Sequence, residues 1–226
     1  MAVSFAGRAA ANLNRLTMKL AWLTDRWARV LRTGVWTKLR CRIDRLGLGA
    51  LRLLFGFDRW HASAPYSCRP YKELVVELAN ALKPSIVVEV GCGLGDIISR
   101  VNAVDLFGID SDLRVIRAAR FLHRGRGFWI HDDGNCIQRV VPQERTIDCL
   151  IMVNWIHNLS PERLSELLLP LLPRTRYLIL DAIDADGPNS YRHKHDFGFL
   201  LAVTRRLSAS RVQGEPRSFV VFEVAK

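Results

Sequence analysis

The chain of 226 residues has little cysteine and no paired cysteine motif. Its five cysteines, an odd number, form no C-x-x-C pair; they are Cys41, Cys68, Cys92, Cys136 and Cys149. This pattern disfavours a disulfide framework or a zinc knuckle and predicts a reducing, cytoplasmic compartment. Long apolar runs are missing as well. The longest uncharged run, Cys149 to Pro161, has 13 residues, which is too short to span a bilayer, so no transmembrane helix is predicted.

The larger part of the chain, residues 61–226, has nearly equal numbers of basic and acidic residues. Residues 61–226 hold 21 Lys and Arg against 19 acids, whereas residues 1–60 hold 12 Lys and Arg against three acids. The net charge of +11 therefore belongs almost entirely to the N-terminal segment. A basic stripe across the larger part would indicate a nucleic-acid substrate, and its absence disfavours nucleic acid as a partner.

The basic N-terminal segment has a helical pattern from Asn12 to about Leu46. Apolar residues recur there at steps of three and four, with arginines mainly between them. Residues 1–46 fit an Arg-rich helix lying on an anionic membrane surface, and they equally fit a helix packed on its own domain. A transit peptide is a third reading. Glycines from Gly47 onward interrupt the pattern, so we predict an extension over 1–60 and a second domain over 61–226.

The stretch with the clearest chemical signal begins at residue 86. The β-branched run 86–90 is typical of a parallel strand that is covered on both faces. Three alternating glycines follow, Gly91, Gly93 and Gly95, where the absence of a Cβ lets a ligand approach the backbone closely. The next strand ends in Asp110, and a carboxylate there can accept hydrogen bonds from the two hydroxyls of a ribose.

An acid inside the first strand distinguishes this glycine turn from others. Glu89 stands two residues before Gly91, whereas dinucleotide enzymes have an apolar residue there and a G-x-G-x-x-G spacing. The pattern Glu89-x-Gly91-x-Gly93-x-Gly95 resembles the first motif of the class I S-adenosylmethionine (SAM)-dependent methyltransferases, and Asp110 falls where that family has its ribose-binding acid. The resemblance implies SAM as the cofactor and these five residues as its contacts.

Strand and helix signals alternate through residues 61–226. Strands are predicted at 86–90, 105–109, 127–131, 146–153 and 176–182, and helices at 72–82, 96–102, from 112, at 161–172 and at 197–207. We therefore predict an α/β fold: a Rossmann-like, mostly parallel sheet with helices on both faces. Residues 211–212 and 218–224 predict an antiparallel C-terminal hairpin. The N-terminal amphipathic helical extension precedes this domain.

The strand ends predict where the site lies. In open α/β sheets ligands bind beyond the carboxyl ends of the strands, so the glycine turn, Asp110, Asp132 and the loop from Asn154 to His157 converge on one crevice. The family resemblance implies that Asp132 or Asp133 accepts from the adenine amino group. The same resemblance implies that Asn154 binds the cofactor, in a loop that faces the methyl group. It also makes the segment before the first strand a lid, with Tyr66, Arg69 and Tyr71 as candidates.

Histidines are the candidate bases, because an oxygen acceptor must lose its proton near neutral pH. His157, in the loop after the fourth strand, is the first choice, and His195, after the fifth strand, is the second. Asp181, Asp184 and Asp186 also suggest a metal site, but a solvated turn explains them better and no metal is predicted.

The sequence thus predicts a methyltransferase that acts on an oxygen or nitrogen of a small-molecule, glycan or lipid-linked acceptor. Two alternatives stay open at this point. One is a membrane-recruited binding module whose methyltransferase fold is inactive. The other is a nucleotide-dependent oxidoreductase. The predicted location is cytoplasmic, with peripheral membrane contact if the N-terminal helix lies on a membrane.

Overall fold

The central sheet positions everything else in the molecule. A computed structural model describes residues 36–63, 65–132, 137–142, 144–185, 187 and 191–225. The strands are β1 (Ile86–Val90), β2 (Asp105–Asp110), β3 (Phe128–His131), β4 (Ile147–Met152), β5 (Thr175–Ile183), β6 (Thr204–Arg211) and β7 (Arg217–Val224). Their order in the sheet is β3-β2-β1-β4-β5-β7-β6. Strands β1 to β5 pair in parallel, and β7 runs antiparallel to both β5 and β6. The predicted Rossmann-like sheet with its antiparallel hairpin is confirmed.

The helices are α1 (residues 36–55), α2 (Arg59–Ser63), α3 (Pro70–Ala81), α4 (Leu113–Leu122), α5 (Ile137–Val140) and α6 (Pro161–Leu168). Short 3₁₀ turns cover Tyr66–Cys68, Ile98–Arg100, Trp155–Asn158, Leu169–Arg174 and Gly198–Leu200. The predicted helix at 96–102 is therefore only a 3₁₀ turn.

Alternation along the strands sends side chains to two separate cores. Val88 of β1 packs in one core with Leu164 and Leu168 of α6. Val87, its neighbour in β1, packs in the other core with residues of α3 and α4, among them Ile116. Successive side chains of a strand point to opposite faces, so a strand buried on both sides is apolar at nearly every position, as β1 is except at Glu89. The prediction of helices on both faces is confirmed.

Two helix starts follow from their capping residues. The Asp112 side chain accepts from the Arg114 backbone at the start of α4, and the Ser160 side chain accepts from the Arg163 backbone at the start of α6. Pro161 occupies the first turn of α6, where its missing N–H costs nothing. These caps satisfy backbone donors that the helix itself leaves free.

The N-terminal prediction is tested only in part, because residues 1–35 lie outside the described residues. The helix α1 continues through Gly47 and Gly49 to residue 55, so the predicted interruption at Gly47 is wrong. One face of α1 packs on the domain: Leu51 is buried together with Val115 and Ala118 of α4. The boundary near residue 60 stays a prediction.

Two cysteines correct another prediction. Cys41 of α1 and Cys68 of the turn before α3 form a disulfide, with Cα atoms 5.4 Å apart. The sequence disfavoured a disulfide framework, and for this pair that expectation is wrong. Cys92 and Cys149 are free and buried. The bond ties α1 to the segment that leads into α3.

The C-terminal helix prediction is also wrong. A helix was predicted over residues 197–207, but only Gly198–Leu200 form a 3₁₀ turn, and Thr204–Arg211 form strand β6. Strand β6 pairs with β7 from Thr204↔Val224 to Arg211↔Ser218. Pairing with a distant strand outweighs the local helical pattern.

Candidate active site

A cavity of about 590 Å³ opens beyond the carboxyl ends of β1, β2 and β4. Its walls include Glu89, Gly91, Gly93, Asp110, Asp132 and Asn154, all of which were predicted to lie at the site. Further walls come from Trp60, His61, Arg69, Tyr71, Lys72, Asp96, Trp155 and Tyr191. The strand-end argument therefore found the crevice, and the segment before β1 supplies one side of it.

Two features require glycine in this turn: the backbone conformation and the closeness of two tryptophan rings. Gly91, Gly93 and Gly95 have φ values of +71°, +55° and +79°, a region that L side chains rarely adopt. The Trp155 ring occupies the space where a Cβ on Gly91 would lie, and the Trp129 ring does the same at Gly95. From the sequence we expected the missing Cβ atoms to make room for a ligand. At Gly91 and Gly95 the space is instead filled by tryptophan rings of the protein itself.

Asp110 ties the glycine turn to the next helix. One carboxylate oxygen accepts from the Gly93 backbone N–H at 2.9 Å, and the other accepts from the Asp112 N–H at 3.0 Å. Asp110 is only 8% exposed, and it lines the cavity. Carboxylate oxygens have several acceptor sites, so these two bonds leave capacity for a ligand hydroxyl.

Glu89 is the buried acid under the turn. Its side chain is 3% exposed and accepts from the Ile98 backbone N–H at 2.9 Å. Burial raises the pKa of Glu89 to about 8, because removal from water penalises the charged form. The carboxyl is therefore largely protonated at neutral pH unless a cation comes close to it.

The loop after β4 contains a strained residue. Asn154 has φ +71° and ψ −64°, and the Trp155 N–H donates to the Val153 carbonyl at 3.0 Å. This is a γ-turn of the rare, strained kind. The Asn154 side chain is held on both sides: it donates to the Tyr71 hydroxyl at 2.6 Å and accepts from Arg217 at 2.5 Å. These two hydrogen bonds fix the Asn154 amide on the cavity wall, although its backbone conformation is strained.

A buried polar network supports that wall from behind. Asp181, two residues before the end of β5, is fully buried and accepts from the Asn154 backbone N–H at 2.9 Å. The Arg217 guanidinium lies 3.4 Å from Asp181 and 3.8 Å from the centre of the Tyr71 ring. Asp181 follows the strand-end rule and could have been found from sequence. Arg217 could not, because its place depends on the register of β7.

The two predicted catalytic histidines lie behind this wall. His157 is 1% exposed, with Nδ1 3.0 Å from the His193 carbonyl and Nε2 3.3 Å from Asp181. His195 is 5% exposed, with Nε2 3.0 Å from the Ile156 carbonyl. Burial lowers the pKa of His195, because the charged form is disfavoured there. Neither side chain lines the cavity, and the prediction that one of them is the base stays untested.

His61 of α2 takes the position that we expected for those histidines. All six histidines lie in the described part of the chain, and within it His61 is the only one on the cavity wall. Its Nδ1 lies 2.8 Å from Asp58, whose carboxylate also accepts from the His61 backbone at 3.0 Å. A Cβ on Gly93 would lie 3.8 Å from His61 Nε2. The Asp-x-x-His spacing at a helix start is the signal that could have found it.

Other predicted residues have simpler outcomes. Asp132 lines the cavity, whereas Asp133 lies outside the described residues, so the choice between them as the adenine contact stays open. Arg69 and Tyr71 line the cavity as predicted for a lid, but Tyr66 does not. Among the described residues, no group of three or more His, Cys, Asp or Glu could hold a metal ion.

Solved structures share this fold. The N-methyltransferase NodS from Bradyrhizobium japonicum WM9 aligns with a TM-score of 0.56 at 11% identity, over 70% of this chain and 96% of NodS. The magnesium protoporphyrin IX methyltransferase ChlM from Synechocystis PCC 6803, solved with bound SAM, gives 0.53 at 15% identity, over 84% of this chain and 97% of ChlM. The mitomycin 7-O-methyltransferase MmcR gives 0.55 at 13% identity, over 77% of this chain and 60% of MmcR.

These likenesses establish the architecture. No protein-family model matches the chain, and no curated protein sequence matches it. At identities of 11 to 15%, the solved structures show that this chain has the Rossmann-like fold of the class I methyltransferases. A shared fold does not show what the chain binds or acts on, so these have to be argued from the residues of its own cavity.

Proposed function

We propose that this chain is a SAM-dependent methyltransferase that transfers a methyl group to an oxygen or nitrogen of a small-molecule, glycan or lipid-linked acceptor. The observation that carries the proposal is the cavity at the carboxyl ends of the strands, which Asp110, Glu89, Gly91 and Gly93 line together. The shared fold with N- and O-methyltransferases supports it.

The charge of the cavity fits this cofactor. Three aspartates line it, Asp96, Asp110 and Asp132, in addition to the largely protonated Glu89, and Lys72 pairs with Asp96 at 2.5 Å. SAM carries a positively charged sulfonium and an ammonium group, both of which an acidic wall favours. Asp110 and Asp132 line the cavity, and we propose that Asp110 accepts from the ribose hydroxyls and that Asp132 or Asp133 accepts from the adenine amino group. These residues would hold the cofactor.

The remaining walls would hold the acceptor. When bound, SAM supplies a methyl group on a sulfur that leaves without needing a proton. The chain therefore has to orient the acceptor, exclude water and remove the acceptor's proton. Asn154, Tyr71 and Tyr191 line the cavity on the β4 side and are placed to orient it. His61 is the histidine placed to take the proton.

Calorimetry tests the cofactor. We expect wild-type protein to bind SAM and its demethylated product, S-adenosylhomocysteine (SAH), and not NAD. The Asp110→Ala variant should bind both about 1.5–3 kcal/mol more weakly, the usual range for hydrogen bonds to a charged group. Asp112→Ala is the matched control, because this nearby acid caps α4 and does not line the cavity.

The alternatives have distinct outcomes in the same experiment. Binding of NAD with no binding of SAM would support the oxidoreductase and overturn the proposal. Binding of SAM without methyl transfer to any sugar, lipid or small-molecule acceptor in a labelled-methyl assay would support the inactive binding module.

We propose in addition that the N-terminal segment recruits the protein to anionic membranes. The outer face of α1 carries large exposed apolar residues at helical spacing: Trp36, Leu39, Ile43, Leu46, Leu53 and Leu54. Leu46 is 76% exposed and Leu53 is 84% exposed. The same helix also carries five exposed cations outside this apolar stripe: Lys38, Arg40, Arg42, Arg45 and Arg52. Such a helix suits an interface of acyl chains and anionic headgroups.

Vesicle flotation tests the recruitment. We expect full-length protein to float with vesicles that contain phosphatidylserine and to float less as salt screens the charges. The double variant Ile43→Glu/Leu46→Glu should reduce flotation at least tenfold, since two apolar anchors are lost and two negative charges are gained. Val104→Glu is the control, because Val104 is 81% exposed and lies outside α1. Equal flotation of both variants would contradict the membrane proposal.

The location of the protein stays a prediction. Within the described residues, no helix is both long enough and apolar enough to cross a membrane. The cytoplasmic prediction rested on unpaired cysteines, and the Cys41–Cys68 disulfide removes that argument. Disulfides persist mainly in oxidising compartments.

A further inference from the structure

One cation on the cavity wall, Arg69, forms no ion pair with any acid among the described residues. It lies just before α3. Its guanidinium lies 5.0 Å from the centre of the Trp60 ring and 5.9 Å from that of Tyr71. Its single hydrogen bond to the described part of the chain goes to the Tyr71 hydroxyl, at 3.2 Å. The other N–H groups of the guanidinium donate to none of the described residues, so they can donate to a ligand.

The aromatic surroundings hold the Arg69 fork without neutralising it. Trp60 and Tyr71 offer ring faces, which attract a guanidinium but leave its charge intact. Tyr191 lines the same cavity, so the space next to Arg69 has apolar walls as well. A planar fork in such a setting binds a carboxylate or a phosphate through two parallel hydrogen bonds.

Resting on the proposed methyltransferase function, we propose that the methyl acceptor carries a carboxylate or phosphate group and that Arg69 binds it. The position of Arg69 favours the acceptor over the cofactor. Its partner Tyr71 accepts from Asn154 in the loop after β4, whereas the ribose acid Asp110 ends β2, on the other side of β1. Arg69 therefore belongs to the β4 side of the cavity.

Probe binding to the SAH-saturated protein tests the proposal. The anionic probes are 4-hydroxybenzoate and phenyl phosphate, and 4-hydroxybenzamide is the neutral compound with which they are compared. We expect wild-type protein to prefer at least one anionic probe over the amide. Arg69→Gln should abolish that preference, with a loss of about tenfold or more in affinity for the anion. Arg69→Lys should recover only part of it, because an ammonium keeps the charge and loses the fork.

The variants are chosen to leave the fold intact. The Arg69 side chain makes no capping hydrogen bond to α3, so its replacement removes no helix cap. Arg59→Gln is the matched control: Arg59 is exposed on the neighbouring helix α2 and does not line the cavity. It should bind all three probes as the wild type does, and every variant should bind SAH within twofold of wild type.

Three results would overturn the proposal or its basis, and they are distinguishable. Wild-type protein that binds SAH but shows no preference for an anionic probe, including no probe binding at all, overturns the acceptor class. Arg69→Gln that weakens SAH binding tenfold and leaves the probes unaffected assigns Arg69 to the carboxylate of the cofactor instead. Wild-type protein that binds neither SAM nor SAH overturns the proposed function itself.

Discussion

Replacing His61 by alanine should lower the rate of methyl transfer by about 10²–10⁴-fold, the usual cost of removing a general base. The Asp58 carboxylate fixes which nitrogen carries the proton. Because Nδ1 lies 2.8 Å from Asp58, the neutral ring donates there and presents Nε2 as the acceptor. His61 lies on the cavity wall, so Nε2 is placed to take a proton from a bound hydroxyl.

The experiment compares His61→Ala with His157→Ala and His195→Ala. Turnover is measured with the acceptor that incorporates the most labelled methyl, and SAH affinity is measured by calorimetry. We expect only His61→Ala to lose turnover while it retains SAH binding. Asp58→Asn should cause a smaller loss of turnover, because it removes the group that orients the ring and leaves the ring in place.

Other outcomes would assign the proton transfer differently. Full turnover in His61→Ala, with a large loss in His157→Ala or His195→Ala at normal SAH affinity, would place the base where the sequence predicted it. Full turnover in all three variants would mean that alignment of the acceptor suffices or that the acceptor is already a free nucleophile. Either result would contradict the role of His61.

The parallel strands were predictable because they are buried on both faces. The run 86–90 is apolar except for Glu89 and is bounded by Pro84 and Gly91, so no other element fits it. Once the strands are placed, their carboxyl ends locate the cavity. That step brought Asp110, Asp132 and Asn154 together without any knowledge of contacts.

Side-chain direction was not predictable in the same way. His157 lies in the predicted loop, yet a 3₁₀ turn directs it toward Asp181 rather than into the cavity. Arg217 reaches Asn154 only because β7 pairs with β5 in one register, Ile183 opposite Arg217. Such positions depend on long-range pairing, which local spacing does not encode.

The segment 197–207 illustrates a different limit. Its apolar residues recur at helical spacing, but the edge strand β6 exposes most of its side chains and is held by pairing with β7. Leu200 is buried in the core, whereas Leu207 is 42% exposed. A short segment with both buried and exposed apolar residues fits the periodicity of a helix and that of a strand. Pairing with β7 therefore decides which structure forms.

The Cys41–Cys68 disulfide should contribute about 3–4 kcal/mol to the free energy of unfolding, because it closes a loop of about 27 residues in the unfolded chain. We expect the double variant Cys41→Ser/Cys68→Ser to unfold at correspondingly lower urea concentration. The reducing agent TCEP should destabilise the wild type by a similar amount and leave the double variant unchanged. The double variant is thus its own control for effects of the reagent.

Loss of this bond should also reach the cavity. Cys68 immediately precedes Arg69, and a second link, from the Ser67 hydroxyl to Asp44 of α1 at 2.5 Å, holds the same turn. With the disulfide open, the segment bearing Arg69 and Tyr71 is held less firmly, so preference for an anionic probe should weaken. SAH affinity should not change, since we propose that it depends on Asp110, across the cavity. A thiol assay on native-purified protein that finds Cys41 and Cys68 both free would contradict the bond itself. Equal urea midpoints for oxidised wild type and the double variant would contradict its contribution to stability.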